Sequence, residues 1–393
     1  MTILVKKLST FCKTSSGGTP SRSNNAFFEN GTIPWVKSGE LKNRYITNVE
    51  EYISDIAVEK SSAKLVSKGS LLIAMYGATV GEVSQLTFDA TTNQAICSIL
   101  PDQKVCDVNY LYRFLEASKP YLLTRRVGGG QPNISQAVIK DLEVPLPPLN
   151  EQRRIAFILE KADELRQKRQ QAIEKLDQLL QATFIDMFGD PVSNPKGWKI
   201  DTLNNYGSYK NGLNFGKGET GNQVLYIGVG DFKQLSKIDD ISKLSTIQLN
   251  QLPSDDYFIK DGDLLFVRSN GNKELVGRCV VVYPKGKQIT YSGFCIRYRV
   301  EKLELTGPYL VHLFRTKSFK QTIFDAGQGA NIQNINQQLL SQLKIPVPPK
   351  DLQEKWAEIL LSLEDQKQRL YKQLDIQNQL FSSLQNQAFS GTL

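Results

Sequence analysis

An internal repeat constrains the fold of this chain more than any other feature of its sequence. The stretch NISQAVIKDLEVPLPPLNEQRRIAFILEKADE in the middle of the chain is matched, without a gap, by NINQQLLSQLKIPVPPKDLQEKWAEILLSLED near its end. A stretch that occurs twice predicts two similar structural modules. The matched residues are Asn133 with Asn334, Ile134 with Ile335, Leu142 with Leu343, Pro145 with Pro346, Pro147 with Pro348, Pro148 with Pro349, Gln152 with Gln353, Ile158 with Ile359 and Leu159 with Leu360.

Each copy of the repeat contains a proline-rich segment followed by a long helical pattern. VPLPPL and IPVPPK cannot continue a helix or a central strand, so we expect stiff, extended segments before the two helices. Asn150 and Asp351 stand where the helix N-caps are predicted, and Gly189 predicts that the first helix ends at Phe188. Apolar residues recur every three or four positions, which is typical of a coiled-coil seam. The predicted spacer and partner-binding residues of this seam are Ile155, Ile158, Leu159, Leu165, Leu176, Trp356, Ile359, Leu360, Leu363, Leu370 and Leu374.

The repeat predicts an α+β fold with two similar globular domains, two long helices and a pseudo-twofold internal repeat. The first domain is predicted at 1–149, a helical spacer at 150–190, the second domain at 191–349 and a C-terminal helical spacer at 350–393. The first helix leads away from the first domain, and the second must run back if the two pack together. We therefore expect an antiparallel coiled coil. The domains are predicted to share a scaffold and to differ in their loops, as expected when each copy recognises something different.

Composition predicts a globular protein with a polyanionic partner. The hydrophobic fraction is 40%, and the apolar stretches are too short to span a bilayer. The five cysteines are scattered without metal-ligand spacing, which favours a reducing cytoplasm. The net charge is +8, and the excess of Lys and Arg lies outside the two helical stretches. Basic domains joined by roughly neutral helices indicate a polyanion as partner, the alternative being ordinary solubility charge.

A search of the sequence for catalytic motifs finds no complete one. GGTPS and GGGQPN lack the Lys-Ser/Thr ending of a phosphate-binding loop. Asn194-Pro195 is followed by Lys196 and Gly197, whereas an amino-methyltransferase motif needs a second proline and then an aromatic residue. The single histidine, His312, lies in the apolar-periodic stretch YLVHLF, where we expect a structural role. We therefore predict a recognition protein that is not an enzyme and binds no metal or cofactor itself.

Recognition is predicted for loops that combine Gly with Lys, Arg, Asn, Gln or Ser, the groups that contact phosphates and base edges. For any one residue a solvated turn is an equal alternative, but both copies place such loops at the same scaffold positions. The predicted DNA-binding residues of the first domain are Lys37, Ser38, Lys42, Arg44, Tyr76, Thr79, Arg125, Arg126 and Gln131. Those of the second domain are Lys210, Asn214, Lys217, Lys233, Arg268, Asn270, Asn272, Lys273, Gln328 and Asn331.

Several motifs of the sequence together resemble those of a known family. They are the segment PLPPLxEQRRIAxIL with its long helix, GGTPS, IPWVKSGEL, GATVG and TTNQA. With these motifs the chain resembles the specificity (S) subunits of type I restriction-modification systems over essentially its whole length. The second copy departs from the pattern, because Arg268-Ser269-Asn270-Gly271-Asn272 stands where the first has GATVG.

The resemblance implies a non-catalytic subunit that recognises DNA. Each domain would bind one half of a split, asymmetric target, and the helical pair would set the unread gap. Two modification subunits would dock on the helices, bind S-adenosylmethionine and methylate adenine N6, which requires base flipping. A restriction subunit driven by ATP and Mg would join for cleavage. The resemblance implies no membrane partner and a cytoplasmic location.

Two alternatives come from other functional classes. The first is a coiled-coil scaffold whose domains bind proteins, with VPLPPL as an extended proline ligand. The second is a fragment of a fused methylating nuclease, against which the incomplete methyltransferase motif speaks. Partners captured without DNA or a methylase would favour the first alternative, and methylation by the chain alone would favour the second.

Overall fold

The chain divides into two compact units, each of which contains half of each long helix. The computed structural model describes residues 3–126, 133–216, 218–232, 236–272, 275–326 and 334–393. Unit 1 comprises Met1–Gln170 and Lys372–Leu393, and unit 2 comprises Gln171–Tyr371.

The described residues of unit 1 form eleven strands and four short helices before the first long helix. The strands are β1 (Leu4–Lys7), β2 (Cys12–Ser16), β3 (Ile33–Val36), β4 (Tyr45–Ile46), β5 (Tyr52–Ile53), β6 (Leu65–Val66), β7 (Leu71–Ala74), β8 (Val83–Leu86), β9 (Ala90–Thr92), β10 (Ile96–Pro101) and β11 (Glu143–Leu146). The helices are α1 (Asp55–Lys60), α2 (Val108–Ala117), α3 (Lys119–Thr124), α4 (Gln136–Lys140) and the long α5 (Leu149–Phe188), which continues into unit 2.

The described residues of unit 2 form ten strands and three short helices in a similar order. Its strands are β12 (Lys199–Thr202), β13 (Gly207–Asn211), β14 (Asn222–Ile227), β15 (Lys237–Ile238), β16 (Ser245–Leu249), β17 (Asp263–Val267), β18 (Cys279–Val282), β19 (Ile289–Tyr291), β20 (Cys295–Val300) and β21 (Lys344–Val347). Its helices are α6 (Gly307–Arg315), α7 (Lys317–Ala326), α8 (Gln337–Gln342) and the long α9 (Lys350–Ser390), which continues into unit 1.

The same sheet topology occurs in both units. The central five-stranded sheet has the order β2-β10-β7-β8-β4 in unit 1 and β13-β20-β17-β18-β15 in unit 2. In each sheet the last pair is parallel and the others are antiparallel. A two-stranded ribbon, β1-β11 or β12-β21, accompanies each central sheet. The predicted internal repeat is therefore a repeat of fold as well as of sequence.

The middle strand of each central sheet is buried on both faces. In β7, Leu71 and Ile73 belong to the core formed with α2 and α5, whereas Leu72 and Ala74 belong to a second core on the other face. Strand β17 divides its residues between two cores in the same alternating way. Side chains alternate across a strand, so a run without polar residues, such as LLIA, fits a strand covered on both sides.

The proline-rich segments form the ribbons and anchor the long helices. Pro145 pairs with Val5 in β1-β11, and Pro346 pairs with Ile200 in β12-β21. A ribbon edge accepts proline because no second neighbour needs its missing N–H. The hydroxyl of Tyr110 donates to the Pro145 carbonyl at 2.6 Å, and unit 2 repeats this contact between Tyr309 and Pro346.

One buried glutamine at the start of each long helix binds the helix to its domain. Gln152 accepts a hydrogen bond from the Asp107 backbone at 2.9 Å and donates to the carbonyls of Val105 and Pro147. Gln353 makes the matching three contacts in unit 2, with the backbone groups of Thr306, Glu304 and Pro348. Both side chains are shielded from solvent, so these bonds satisfy amides that would otherwise be costly to bury.

The long helices begin slightly earlier than the sequence predicts, and the first helix ends where it predicts. They start at Leu149 and Lys350, so Asn150 and Asp351 lie inside the first turn and are not N-caps. The helix α5 ends at Phe188, and Gly189 follows with φ of 78°. This is the left-handed conformation that glycine adopts without strain after a helix.

Within each unit the two helix segments run antiparallel, as predicted. In unit 1, Arg154 donates to the Leu393 carbonyl at 2.9 Å, and Arg166 donates to the Asn378 side chain at 2.8 Å. In unit 2, Asp177 pairs with Lys367, and the rings of Phe184 and Trp356 lie 5.2 Å apart. In both units the contacting residues have rising numbers along α5 and falling numbers along α9, so the two helix segments run in opposite directions. None of the helices in the described ranges is both long and apolar enough to cross a membrane.

Candidate nucleic-acid interface

Five loop segments of unit 1 meet at the ends of its sheet strands. They are residues 17–19, 36–40, 75–79, 91–95 and 133–134, and we call them the first loop cluster. Backbone hydrogen bonds that fix them run from Gly17 to Ile96, Gly18 to Thr92, Asn93 to Val36, Met75 to Ala95 and Ile134 to Met75. Side chains add to this connection, because Thr79 donates to the Ser38 carbonyl at 2.9 Å and Thr19 pairs with Gln94.

Unit 2 builds a second loop cluster from residues 212–214, 227–231, 268–270, 290–294 and 334–335. Equivalent backbone bonds run from Gly212 to Cys295, Leu213 to Tyr291, Ser292 to Ile227, Arg268 to Phe294 and Ile335 to Arg268. The repeated Asn133 and Asn334 also form matching isolated bridges, to Tyr76 and to Ser269. The two clusters therefore share a backbone framework while their side chains differ.

A carboxylate closes the same turn in both clusters. Glu40 accepts a hydrogen bond from the Lys37 backbone N–H at 2.6 Å, and Asp231 accepts one from the Gly228 backbone N–H at 2.8 Å. Each acidic side chain satisfies a donor at the start of a short 3₁₀ turn that follows β3 or β14. These turns keep the loops after β3 and β14 in a fixed conformation.

Two of the predicted lysines, Lys37 and Lys210, lie in ion pairs. Lys37 contacts Glu50 at 2.8 Å and Glu51 at 2.9 Å, and these hydrogen bonds raise the pKa of Lys37. Lys210 pairs with Asp256, and its ammonium group lies 3.9 Å from the centre of the Tyr257 ring. A phosphate that binds either lysine must therefore compete with a carboxylate.

Arg44 is engaged with the long helix of its own unit. Its guanidinium pairs with Glu160 of α5 and donates to Asn109 of α2 at 2.9 Å. Burial lowers the pKa of Arg44, and only 11% of its side chain is exposed. The structure thus gives Arg44 a role in joining the domain to α5, and its predicted DNA contact stays a prediction.

The sequence of the chain matches one family model in two stretches. The model describes the type I restriction modification DNA specificity domain, and it matches residues 3–175 and 195–380. These stretches make up most of the chain. The chain belongs to this family.

Relatives of the chain bear the name of specificity subunits. The Escherichia coli type I restriction enzyme EcoR124I/EcoR124II specificity subunit is 31% identical over 165 residues, which is 41% of this chain and 41% of the relative. The Methanocaldococcus jannaschii MjaIX specificity subunit is 28% identical over 53% of this chain and 52% of the relative. The Salmonella potsdam StySPI specificity subunit is 23% identical over 86% and 76%. The first two matches thus span about half or less of the relatives' length.

Solved structures share the fold along the whole chain. The type I restriction-modification S subunit from M. genitalium has a TM-score of 0.56 at 16% identity and covers 99% of this chain and 96% of its own. A chain from a structure of the assembly and conformational transition of the type I R-M system has a TM-score of 0.61, also at 16% identity, and covers 99% and 98%. At this identity the likeness supports the fold alone.

The other predicted loop residues of unit 1 lie at its surface or at the cluster. Tyr76 is half-buried in the first loop cluster, and desolvation raises the pKa of its hydroxyl. Lys42, Arg125 and Arg126 are exposed, and the Arg125 guanidinium lies 5.1 Å from the centre of the Tyr121 ring. Gln131 lies outside the described residues.

In unit 2, the predicted polar residues that the structure describes follow β13 and β17 of the central sheet. Arg268 and Asn270 lie directly after β17 and are half-buried, while Asn214 and Asn272 are exposed. Asn270 accepts a hydrogen bond from the Asn272 backbone at 2.8 Å, which shapes the loop after β17. The predictions for Lys217, Lys233, Lys273, Gln328 and Asn331 fall outside the described residues.

The predicted seam residues of the helices are at least partly buried, with one exception. Ile155, Leu159, Trp356 and Leu360 are buried in the cores of their units, whereas Leu165 is 55% exposed. The half-buried seam residues are Ile158, Leu176, Ile359, Leu363, Leu370 and Leu374. In unit 2 the seam packs on the domain as well as on the other helix, since Trp356 donates to the Pro308 carbonyl at 3.3 Å.

Sequence reasoning assigned no role to three residues that join domain and helix, namely Gln152, Gln353 and Arg113. Gln152 and Gln353 appear as matched positions of the repeat, which is the signal that identifies them. Arg113 gives no comparable signal, although its guanidinium contacts Glu116 at 2.9 Å and Asp163 of α5 at 3.0 Å. The described residues contain no group of His, Cys, Asp and Glu side chains arranged for a metal ion.

Proposed function

We propose that this chain is the DNA sequence-specificity subunit of a type I restriction-modification complex. In this proposal the target recognition domains are residues 1–149 and 191–349, and the helical spacers are 150–190 and 350–393. Each loop cluster recognises one half of a bipartite, asymmetric target. The observation that carries the proposal is the second loop cluster, which repeats the backbone hydrogen bonds of the first with different side chains.

The two loop clusters have the same backbone framework but different side chains, which favours recognition of two different DNA half-sites. Base identity is recognised by side chains at the base edges, while phosphate contacts set position without sequence information. Loops held by the same backbone bonds can approach DNA in the same way in both units. The residues that differ at equivalent positions, such as Tyr76 and Ser269, then meet different bases.

In the proposed complex this chain contributes recognition, and its partners contribute chemistry. Two modification subunits would bind S-adenosylmethionine and methylate adenine N6, and restriction subunits would use ATP and Mg for translocation and cleavage. Apolar side chains on the long helices support docking of partner subunits, because exposed apolar residues mark interaction surfaces when they cluster. In unit 1 these are Phe157, Leu165, Ile376 and Leu380, and in unit 2 they are Leu179 and Leu361. The proposed location is the cytoplasm, where double-stranded DNA and these partners meet.

A methylome of the native host tests the proposal directly. Long-read sequencing of hosts with and without the gene should show loss of N6-methyladenine from one split, asymmetric motif, and complementation with the wild-type chain should restore it. This outcome would also identify both half-sites and the gap.

An unchanged methylome requires a second measurement. The chain would then be reconstituted with its modification subunits and titrated with a library of duplexes at several salt concentrations. Preferred binding to a bipartite sequence, weakened by salt through release of counterions, would support the proposal. Equal affinity for all sequences would overturn it in favour of the protein-binding scaffold.

A further inference from the structure

The two loop clusters differ in the residue that ends the turn before β10 and before β20. In unit 1 this turn ends in Ala95, which is 4% exposed, and β10 follows. In unit 2 the equivalent residue is Phe294, whose large aromatic side chain is 61% exposed, and β20 follows. The equivalence rests on the backbone, because Met75 donates to the Ala95 carbonyl and Arg268 donates to the Phe294 carbonyl, both at 2.7 Å.

The backbone of Phe294 forms hydrogen bonds through both its carbonyl and its N–H group. Its carbonyl accepts from Arg268, and its N–H donates to the Ser292 hydroxyl at 3.1 Å. The next N–H, that of Cys295, donates to the Ser292 carbonyl at 2.8 Å. The exposed ring therefore stands on a fixed backbone, and only its two side-chain torsions are left to order on binding, which keeps the entropic cost low.

The segments next to Phe294 contain residues that the sequence predicts to bind DNA. Arg268 lies next to it through the backbone bond, and Asn214 closely approaches the neighbouring Gly293. Phe215, on the same loop as Asn214, is also partly exposed and packs edge-on against Tyr226 at 5.1 Å. Scattered exposed apolar residues are ordinary, but Phe294 belongs to the second loop cluster, whose other segments contain Arg268 and Asn214.

We propose that Phe294 is a base-contacting residue of unit 2, and that its ring makes an apolar contact with the C5-methyl group of a thymine in the second half-site. This inference rests on the proposed function. Phenylalanine is one of the side chains suited to contact the thymine methyl in the major groove. Ala95 is buried and cannot make the same contact, so the two half-sites would be recognised differently at this position.

The test uses the full chain reconstituted with its modification subunits. Binding is measured to the cognate duplex, to a duplex with the second half-site scrambled, and to duplexes in which single thymines of the second half-site are replaced by uracil. Phe294→Ala should weaken cognate binding about tenfold, within the range of base-specific contacts, and leave binding to the scrambled duplex unchanged. Leu303→Ala is the matched control, because Leu303 is 77% exposed and lies beyond the other end of β20.

Uracil substitution identifies the contacted base. At one position the loss of the methyl group should weaken binding of the wild-type complex about fourfold, the value of burying one methyl-sized group. The Phe294→Ala complex should show no such loss at that position. If the wild-type complex prefers the cognate duplex but Phe294→Ala binds like Leu303→Ala, or if every uracil effect is the same in both complexes, the inference is wrong and the proposed function stands. A wild-type complex without sequence preference would overturn the proposed function itself.

Discussion

Close backbone approach requires glycine at Gly17 and Gly212, which begin equivalent loops of the two clusters. A Cβ at Gly17 would lie 2.2 Å from the Thr92 carbonyl oxygen, and one at Gly212 would lie 2.0 Å from that of Ser292. We expect Gly17→Ala to lower the free energy of unfolding by about 1–3 kcal/mol, the cost of forcing atoms into a packed site. Urea denaturation of the two proteins measures this difference.

Gly39 provides the matched control within the first loop cluster. No atom lies within 4 Å of its Cβ position, so Gly39→Ala should leave the urea midpoint nearly unchanged. Equal losses in the Gly17 and Gly39 variants would show that the close approach at Thr92 does not decide the cost.

His312 is a buried neutral histidine that makes the fold sensitive to acid. Burial lowers its pKa to about 3, and the charges of Arg315 and Lys367 act in the same direction. In the unfolded chain the imidazole titrates near pH 6.5, so the unfolded state binds a proton that the folded state excludes. The stability contributed by the neutral form is present above about pH 6.5 and is lost as the pH falls towards 3.

The variant His312→Phe should remove this titration while keeping a ring beside Trp356 and Phe184. Between pH 6.5 and 4.5 the unfolding free energy of the wild type should therefore fall more steeply than that of the variant, by up to about 1.4 kcal/mol per pH unit. Chemical denaturation at a series of pH values measures both slopes. Parallel curves would contradict a neutral buried His312.

At the scale of elements, an ionic junction joins α2 to α5 in unit 1. Arg113 is 1% exposed and contacts Glu116 and Asp163, and burial raises the pKa of Glu116. Arg113→Leu removes the cation that Glu116 and Asp163 share and leaves Asp163 with Arg166 at 3.2 Å, so we expect a loss of about 3 kcal/mol in the free energy of unfolding, the lower end of the cost of breaking a buried pair. Thermal or urea unfolding checks this value.

Two further variants distinguish charge from packing at this junction. Arg113→Leu combined with Glu116→Gln and Asp163→Asn should recover part of the lost stability, because the uncompensated charges are gone. Arg369→Leu removes an exposed arginine of α9 that pairs with Asp365 of its own helix and should change stability by less than about 1 kcal/mol. No recovery in the combined variant would assign the loss to packing alone.

The apolar periodicity of the sequence and its helix-ending glycine predict the long helices well, but such signals predict the short elements poorly. The seam pattern and Gly189 locate α5 and its end, because both signals are local. The two-residue strands β4, β5 and β6 and the parallel pairing of β4 with β8 leave no local pattern. In the candidate site, sequence reasoning chose the loops that contain Ser38 and Thr79, which the structure brings together. It did not find that α5 buries Arg44, since such a contact depends on how distant elements pack.

At the scale of the whole molecule, one structural plan is used twice with different interior chemistry. Gln152 and Gln353 make equivalent hydrogen bonds, and Tyr110 and Tyr309 anchor equivalent prolines. One turn after these tyrosines, the first unit has a charged Arg113 and the second a neutral His312. The parts that connect domain to helix are therefore kept, while the side chains around them have diverged.

The proposal that the two long helices set the gap between half-sites makes a quantitative prediction. Seven residues inserted after Gln170 and seven after Tyr371 add one heptad to each helix and keep the seam in phase. They lengthen each helix by about 10 Å, which equals about three base pairs of DNA. The methylome of a host with this variant should show both half-sites unchanged and a gap longer by about three base pairs. Insertion in α5 alone puts the helices out of register and should abolish methylation. An altered half-site with an unaltered gap would show that the helices are not the spacer.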